Sequence, residues 1–356
     1  MKTEIIAVGM SGGVDSTVAA AILKEQGHEL IGVTAVMSGE YSRCCSTQDI
    51  ERAEAAADSL GIRHYVVDVV SEFKSNIIDY FVSDYLSART PSPCVVCNET
   101  IKFGVLLEKA MELGASQIAT GHYARIERNQ DGIYALKRGT DLIKDQSYFL
   151  SRLNQEQLAR SVFPLGKKLK KDVSQYAADH ELMTRKSKES QELCFIESGT
   201  HGDWIDLRVL EAAGPGDVLD EEGNKLGVHK GIHHYTIGQR KGLGVAVGKP
   251  VYVTKLDAGT NTVVVGDRSE TMQSKMNIED VFWLNGIQPE SGFSALCQVR
   301  YNHKPAMCRV VPDNTGGSCT VMFDEPQFAI TPGQLAVLYT GDEVIGSGWI
   351  DLATEC

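Results

Sequence analysis

The stretch that decides the fold lies at residues 5–16 and reads IIAVGMSGGVDS. Its apolar first half, residues 5–8, is typical of a buried strand. Its second half opens a helical pattern that begins near Asp15 and is closed by Gly27. The two glycines between these parts allow the backbone to approach an anion, and the N-terminus of the following helix adds a favourable partial charge. The stretch therefore predicts a strand, a phosphate-binding loop and a helix.

This loop differs from two better-known phosphate loops. A Walker A loop needs Gly-Lys-Ser/Thr, and residues 9–16 contain no lysine. A Rossmann fingerprint needs Gly-x-Gly-x-x-Gly, which is also missing. Ser11 and Ser16 can donate hydroxyl hydrogen bonds to phosphate, and Asp15 can hold a Mg²⁺ ion that bridges phosphates.

Strand and helix patterns alternate through the first half of the chain. Strands are predicted at residues 30–36, 65–70 and 117–120, and helices at 49–60, 73–86 and 101–113. Such alternation predicts a Rossmann-like α/β domain with a parallel sheet covered on both faces. After about residue 200, short runs separated by turns predict further strands, and from residue 295 they predict a small β-barrel. We expect three domains, at residues 1–205, 206–275 and 276–356.

Composition is ordinary for a globular protein, with 42% hydrophobic and 23% charged residues. The first residues carry no signal-peptide pattern, and no apolar stretch approaches the roughly 20 residues of a membrane helix. We therefore expect a cytoplasmic protein without a membrane partner. The formal net charge of −12 argues against nucleic-acid binding unless basic residues cluster. Residues 160–188 contain eight Lys/Arg against three Asp/Glu, which fits either an RNA contact or a solvated helix face.

The cysteines offer a second candidate site. Cys94 and Cys97 form a Cys-x-x-Cys directly before a helix that is predicted to begin near Asn98, and Cys194 lies far along the chain. In a reducing compartment such a pair fits a redox site, half of a zinc site, part of an iron–sulfur site, or two buried cysteines without a shared role. Cys297, Cys308 and Cys319 are predicted to be small core residues of the β region.

Residues 9–16 resemble the PP-loop of ATP pyrophosphatases, which transfer AMP to a substrate oxygen. Ordered motifs along nearly the whole chain resemble one family, the tRNA-specific 2-thiouridylases. The matching segments are GMSGGVDS (9–16), RTPSPCVVCN (89–98), ATGHYAR (119–125), KDQSYFL (144–150), ESQELCFI (189–196), YTIGQRKGLG (235–244), VRY (299–301) and TPGQ (331–334). The resemblance implies an ATP pyrophosphatase domain, a small central domain and a C-terminal β-barrel.

The resemblance also implies the roles of individual residues. The ATP contacts would be Gly9, Met10, Ser11, Gly12, Gly13, Val14, Asp15, Ser16, Met37 and Gly121. Cys97 would be the catalytic nucleophile and Cys194 the carrier of a persulfide. The target base would contact Ser92, Pro93 and Cys94, and the tRNA would contact His122, Lys144, Asp145, Gln146, Arg300, Tyr301 and Gln334.

The implied reaction is ATP-dependent 2-thiolation of the wobble uridine. ATP and Mg²⁺ would serve adenylation of the C2 oxygen, and sulfur from a cysteine persulfide would replace that oxygen, with a disulfide between Cys97 and Cys194 as the by-product. The implied partners are the tRNAs for Lys, Glu and Gln, and a cysteine desulfurase or sulfur-relay protein as donor.

Two positions depart from the family pattern. Many relatives have Asn at the position of Ser92 and Asp at the position of Cys94. The second departure places Cys94, Cys97 and Cys194 in one expected site, and related sulfur-inserting enzymes hold a 4Fe-4S cluster with such a trio. Cluster-based sulfur delivery therefore stands beside persulfide chemistry.

Two other classes of protein share some of these features. A small-molecule ligase could use the same loop, but it would need neither the cysteines nor the β-barrel. A non-catalytic RNA-binding protein would not need the intact Asp15 and Ser16. Cleavage of ATP to AMP and pyrophosphate only when tRNA is present separates the three classes.

Overall fold

The computed structural model of the protein describes residues 4–37, 47–182, 193–196, 198–209, 214–313 and 317–351. The chain divides into two compact units. The first consists of Met1–Ile77, Cys94–Glu197 and Asp342–Val344, and the second of Ile78–Pro93, Ser198–Gly341 and Ile345–Cys356.

A five-stranded parallel sheet organises the first unit. Its strands are β1 (Ile5–Gly9), β2 (Glu29–Val36), β3 (Arg63–Asp68), β4 (Gln117–Ala119) and β7 (Ser161–Val162), in the order β3-β2-β1-β4-β7. Helices α1 (Val14–Glu25) and α2 (Thr47–Ser59) lie between the first strands. The predicted Rossmann-like parallel sheet is confirmed.

Several helical segments follow β3 along the chain. Helices α3 (Val70–Phe73) and α4 (Asp79–Leu86) flank a π-helical turn at Lys74–Ile78, and α4 belongs to the second unit. Helix α5 (Pro93–Val96) leads into a π-helical segment, Cys97–Val105, and then into α6 (Leu106–Glu112). The helix that was predicted to begin near Asn98 therefore begins at Pro93. Proline suits the first helical position because its fixed φ is helical and its missing N–H is not needed there.

The remaining elements of the first unit are short. A hairpin of β5 (Ala124–Arg128) and β6 (Tyr134–Arg138) follows β4. Three helices complete the first unit: α7 (Ser147–Leu150), α8 (Gln155–Ala159) and α9 (Lys170–Asp179). Helix α9 packs against α1 through Val173 and Ala177.

The second unit contains a four-stranded sheet in its central part. The strands are β8 (Gly216–Leu219), β9 (Lys225–His229), β10 (Tyr252–Asp257) and β11 (Thr262–Gly266), in the order β10-β11-β8-β9. Helix α10 (His201–Asp206) precedes this sheet, and a 3-10 turn at Ile232–His234 follows β9. A second 3-10 turn, Arg268–Thr271, ends this part.

A closed β-barrel follows along the chain and lies mostly in the second unit, with Glu343 and Val344 of its last strand in the first. Its strands are β12 (Met272–Trp283), β13 (Phe293–Gln298), β14 (Ala306–Pro312), β15 (Ser318–Phe328), β16 (Leu335–Thr340) and β17 (Glu343–Asp351). They follow the order β12-β15-β14-β13-β16-β17, and pairing of β12 with β17 closes the barrel. Cys297, Cys308 and Cys319 are buried in its core, as predicted. None of the helices in the described ranges has the length and apolar character that a bilayer-spanning helix needs.

Candidate active site

The phosphate loop lies where the strand order of the parallel sheet reverses. β2 and β3 lie on one side of β1, and β4 and β7 lie on the other. Loops that leave the carboxyl ends of two such neighbouring strands diverge and open a crevice, which is where open α/β sheets bind ligands. The loop after β1 is residues 10–13, and the loop after β4 begins at Thr120. The topology therefore brings the predicted ATP residues of both loops together.

Hydrogen bonds among its own polar groups fix the conformation of the loop after β1. Gly12 has a φ of 70°, a left-handed conformation that favours glycine. Ser16 Oγ donates to the carbonyl of Gly13 at 3.0 Å, and the Ser11 and Ser16 hydroxyls lie 3.3 Å apart. Because α1 starts at Val14 and nothing but Gly13 caps it, its first N–H groups point toward the loop. This is the arrangement that the sequence predicted for an anion site.

Gly121 is the point of closest approach between the two loops. A Cβ atom at this position would lie 2.8 Å from the carbonyl carbon of Asp15 and 2.9 Å from the backbone nitrogen of Ser16. Both neighbours are backbone atoms that cannot turn aside, so a side chain here would push the loop out of place. Gly121 thus shapes the loop by having no side chain.

Asp15 is held by two residues that the sequence did not connect with it. Lys170 Nζ lies 2.8 Å from Oδ1 and 2.7 Å from Oδ2 of Asp15, and the hydroxyl of Tyr123 donates to Oδ1 at 2.9 Å. Lys170 is the first residue of helix α9 and belongs to the basic run, which by sequence alone fits either an RNA contact or a solvated face. The structure instead supplies from α9 the lysine that the loop itself lacks.

The carboxylate of Asp15 offers the kind of oxygen ligand that Mg²⁺ binds. A carboxylate in a phosphate loop is the oxygen ligand that this hard ion takes, together with substrate phosphates. Both carboxylate oxygens already contact the amino group of Lys170, so an ion could reach Asp15 only by displacing that group.

The two cysteines of the Cys-x-x-Cys motif have different surroundings. Cys94 lies in the first turn of α5 and is exposed, whereas Cys97 lies one turn later and is buried. Asn98, also buried, donates from Nδ2 to the carbonyl of Phe149 at 3.1 Å. This bond joins two segments that the resemblance singled out, residues 89–98 and 144–150.

Cys194 is half-buried beside an aromatic anchor. The ring of Phe195 packs edge-on against Phe73 with 6.1 Å between centroids, and the helix that ends at Phe73 packs against the segment Cys97–Val105. The residue after Cys194 is thereby packed on a helix that itself contacts the segment beginning at Cys97.

The three cysteines do not form a ready site for a single metal ion. Within the described part of the chain, one group of three His, Cys, Asp or Glu residues has its ligand atoms all within 4.8 Å of one another, and this group contains no cysteine. A 4Fe-4S cluster spreads its ligands over several irons, so its demands on the thiols are different.

Four of the residues predicted to contact tRNA lie in the first unit. His122 is buried against Phe103 and Phe163, and its ring shares a 2.7 Å hydrogen bond with Thr120. Burial, and to a lesser extent the charge of Lys102, lowers the pKa of His122 well below its usual value. The ring is therefore neutral near pH 7.

The other three lie in one segment, residues 144–146. Asp145 is buried and accepts from the backbone N–H groups of Gly139 and Ser147, at 2.9 and 3.0 Å. Gln146 pairs with the backbone of Tyr123 through its side chain and its N–H. Lys144 is half-buried. Asp145 and Gln146 thus have internal roles in fixing this segment.

In the second unit, Gln334 supports the segment that carries Ser92 and Pro93. Its Nε2 donates to the carbonyls of Thr90 and Pro91, both at 3.0 Å. Arg300 donates from Nη2 to Thr331 Oγ1 at 2.8 Å. The carbonyl of Tyr301 accepts from the side chain of Gln298 at 2.7 Å. Ser92 is buried, and its N–H donates to the hydroxyl of Tyr80 at 3.2 Å.

The two predicted methionine contacts lie at the ends of their strands. Met10, directly after β1, is buried and accepts from Thr34 Oγ1 at 2.7 Å. Met37, directly after β2, is half-buried. Lys170, Tyr123 and Asn98 are the site residues that the sequence did not assign, because their partners are distant along the chain.

Three family models match successive parts of the chain, and relatives match it over nearly its full length. Residues 4–198 match the family model described as a tRNA methyl transferase HUP domain, residues 205–267 the tRNA methyl transferase PRC-barrel domain, and residues 273–350 the aminomethyltransferase beta-barrel domain. A protein of Geobacter metallireducens named tRNA-specific 2-thiouridylase MnmA is 46% identical over 363 residues, covering 98% of this chain and 97% of that protein. Proteins with the same name from Geotalea uraniireducens and Trichormus variabilis are 44% and 46% identical, covering 99% and 97% of this chain and 96% and 98% of their own lengths.

Proposed function

The chain belongs to the family of tRNA-specific 2-thiouridylases, and on that basis we propose that it is an ATP-dependent tRNA-uridine 2-sulfurtransferase. It adenylates the C2 oxygen of the wobble uridine and replaces that oxygen with sulfur. The observation that carries this proposal is the phosphate loop at residues 9–16, whose backbone is approached closely by Gly121. The loop lies in the same unit as Cys97 and Cys194.

Adenylation is the first stage. The N–H groups at the start of α1 and the hydroxyls of Ser11 and Ser16 bind the phosphates of ATP, and Lys170 adds a positive charge at their side. A Mg²⁺ ion, when bound with ATP, would neutralise further phosphate charge. The C2 oxygen takes AMP, pyrophosphate leaves, and a poor leaving group becomes a good one.

Sulfur transfer is the second stage, and we propose that it uses a persulfide on Cys194. The outer sulfur attacks C2 and expels AMP. The thiolate of Cys97 then attacks the inner sulfur, so that a Cys97–Cys194 disulfide forms and the new sulfur stays on the base. An external dithiol must reduce this disulfide before the next turnover.

The finer assignments belong to the same proposal. The domains span residues 1–205, 206–275 and 276–356. The predicted contacts of ATP, base and tRNA carry over as assigned, with Asp145, Gln146 and Gln334 acting partly by fixing their segments. A cysteine desulfurase or relay protein supplies the sulfur, the substrates are the tRNAs for Lys, Glu and Gln, and the protein works in the cytoplasm. Delivery through a 4Fe-4S cluster held by Cys94, Cys97 and Cys194 is the alternative, favoured by the Cys-x-x-Cys pair.

A direct test follows ATP cleavage and base modification together. The purified protein is incubated with ATP, a sulfur donor and unmodified tRNA, and AMP, pyrophosphate and 2-thiouridine are measured. We expect all three only when tRNA is present. The Asp15→Ala variant should lose all three while keeping its circular dichroism spectrum and melting temperature. AMP formation without tRNA, or unchanged thiolation by Asp15→Ala, would contradict the proposal.

A further inference from the structure

A compact cluster of two histidines and an aspartate lies in the second unit. Asp206 Oδ1 is 2.7 Å from His233 Nε2, and Asp206 Oδ2 is 2.9 Å from His234 Nε2. The ligand atoms of all three residues lie within 4.8 Å of one another, and no other group of His, Cys, Asp or Glu in the described ranges meets that limit. None of these residues has a role in the proposed thiolation chemistry.

The surrounding backbone is shaped to hold the two rings in place. A Cβ atom on Gly202 would lie 2.0 Å from His234 Nδ1, so α10 can approach this ring only because it has a glycine there. A capping box between Thr200 and Asp203 fixes the start of α10, and Asp206 ends the helix. The ring of His201, on the same helix, stacks on Tyr85 with 4.3 Å between centroids. The geometry is therefore built into the packing of the fold.

The two histidines of the cluster are buried, whereas its aspartate is partly exposed to solvent. The side chains of His233 and His234 are 0% and 4% exposed, whereas that of Asp206 is 45% exposed. Nδ1 of His233 and Nε2 of His201 are buried without a hydrogen-bond partner. These two nitrogens do not face Asp206, so they lie outside the candidate ligand set, which is Nε2 of His233, Nε2 of His234 and the Asp206 carboxylate. The exposed carboxylate is the side of the cluster that solvent and a small ion can reach.

We propose that Asp206, His233 and His234 bind a divalent transition-metal ion of the zinc type. Two imidazole nitrogens and one carboxylate oxygen are a known donor set for such ions, with Zn–N distances of about 2.0–2.1 Å. Donors around a tetrahedral ion then lie roughly 3.3 Å apart. The pairs at 2.7 and 2.9 Å, each of which uses a different carboxylate oxygen, must spread to reach this spacing, while the ligand atoms of the three residues lie within 4.8 Å of one another. Three protein ligands leave the fourth position for water or another oxygen donor.

None of the three proposed ligands is a thiol, and the test must distinguish metal bound here from metal bound by cysteines. The full-length protein is stripped with a chelator and titrated with Co²⁺ and with Zn²⁺, and bound metal is counted after dialysis. Nitrogen and oxygen donors give Co²⁺ weak visible bands, whereas thiolates add an intense sulfur-to-metal band in the near ultraviolet. We expect one equivalent of Co²⁺ without the sulfur band, and displacement of that ion by Zn²⁺.

Two variants and one matched control locate the ion. Asp206→Asn and His234→Gln should each reduce bound metal by one equivalent and abolish the rise in melting temperature that Zn²⁺ gives the wild type. Asp203→Asn removes a carboxylate from the same helix while preserving its capping ability, and it should bind as the wild type does. Circular dichroism of the metal-free variants checks their fold. Unchanged stoichiometry in both folded variants, or metal binding that always shows the sulfur band, would overturn the proposal.

Discussion

At the scale of single residues, the carboxylate of Asp15 places a negative charge in a loop that has to receive polyphosphate. Lys170 balances that charge at 2.7 Å, and Tyr123 adds a hydrogen bond to the same carboxylate. The pair is largely shielded, with side-chain exposures of 22% for Lys170 and 33% for Asp15. On the proposed function, a cation that arrives with ATP would compete for Asp15, and the amino group of Lys170 would then be released to the phosphates.

Replacing Lys170 by methionine tests this role. We expect kcat/KM for ATP in tRNA-dependent pyrophosphate release to fall roughly 10- to 100-fold, because a hydrogen bond to a charged group is worth about 1.5–3 kcal/mol. Lys171→Met is the matched control, since Lys171 is exposed on the same helix. If both variants keep the wild-type dependence on ATP, Lys170 only neutralises Asp15 in the free protein.

His122 gives a second prediction at this scale. Burial lowers its pKa well below 6.5, so the folded protein resists protonation of this ring while the unfolded chain accepts a proton below pH 6.5. The free energy of unfolding should therefore decrease as the pH falls below 6.5, with a slope from this ring that approaches about 1.4 kcal/mol per pH unit.

Urea unfolding of His122→Gln and the wild type between about pH 5 and 7 measures this effect. The variant should show a flatter pH dependence, whatever its absolute stability. His64 and His303 also have lowered pKa values caused mainly by burial, so some slope should remain. An identical slope in both proteins would show that His122 does not resist protonation in the folded state.

At the scale of elements, the helical stretch from Pro93 to Glu112 arranges the sulfur chemistry. Its first turn presents Cys94 to solvent, and the next turn buries Cys97. Asn98 fixes the stretch to the segment around Phe149, and Arg152 pairs with Glu99 at 3.1 Å. Cys97, the proposed nucleophile, thus lies on a part of the helix that is fixed by hydrogen bonds, whereas Cys94 lies at the exposed start of the helix.

Cysteine variants separate the two routes for sulfur. Cys97→Ser and Cys194→Ser should each stop formation of 2-thiouridine without stopping tRNA-dependent AMP formation, since neither thiol is needed for adenylation. Cys94→Asp introduces the carboxylate that the family resemblance implies at this position and should keep most of the activity if a persulfide is used.

Iron and sulfide analysis after anaerobic purification completes this test. A fully active wild type without iron excludes the cluster. An iron-loaded wild type, beside an inactive Cys94→Asp variant that has lost its iron, would instead exclude the persulfide route.

Prediction from sequence succeeded where the determinants are local. Residues 5–16 contain the strand, the glycines and the helix start within one stretch, so the parallel sheet and the loop were both predicted correctly. Lys170 lies 155 residues from Asp15, and no local pattern connects an α9 lysine with a loop after β1. The helix begins at Pro93 rather than near Asn98, because proline suits the first helical position, where no N–H donor is needed. The Asp206 and His233 contact depends on how α10 packs, which periodicity does not encode.

At the scale of the whole molecule, the chain is expected to bind tRNA although its net charge is −12. Attraction to phosphate depends on local charge, because interactions beyond about 10 Å are screened at physiological salt. The basic run on and before α9 supplies such local charge at Lys167, Lys168 and Lys171. Lys170 is excluded from this surface, since its amino group is bound to Asp15.

Reversing the charge of Lys167, Lys168 and Lys171 to glutamate should weaken tRNA binding and reduce its salt dependence. Each lost phosphate contact lowers the slope of log K against log salt concentration by about 0.7–0.9, so the triple variant should lose roughly 2–3 from the wild-type slope. The control reverses three exposed basic residues elsewhere in the first unit, Arg63, Lys74 and Lys109. Both variants carry the same net charge, so any difference between them reports on position alone. Filter binding at several salt concentrations gives the slopes. Equal slopes in the two variants would mean that the basic run is a solvated face and that tRNA is held by other residues.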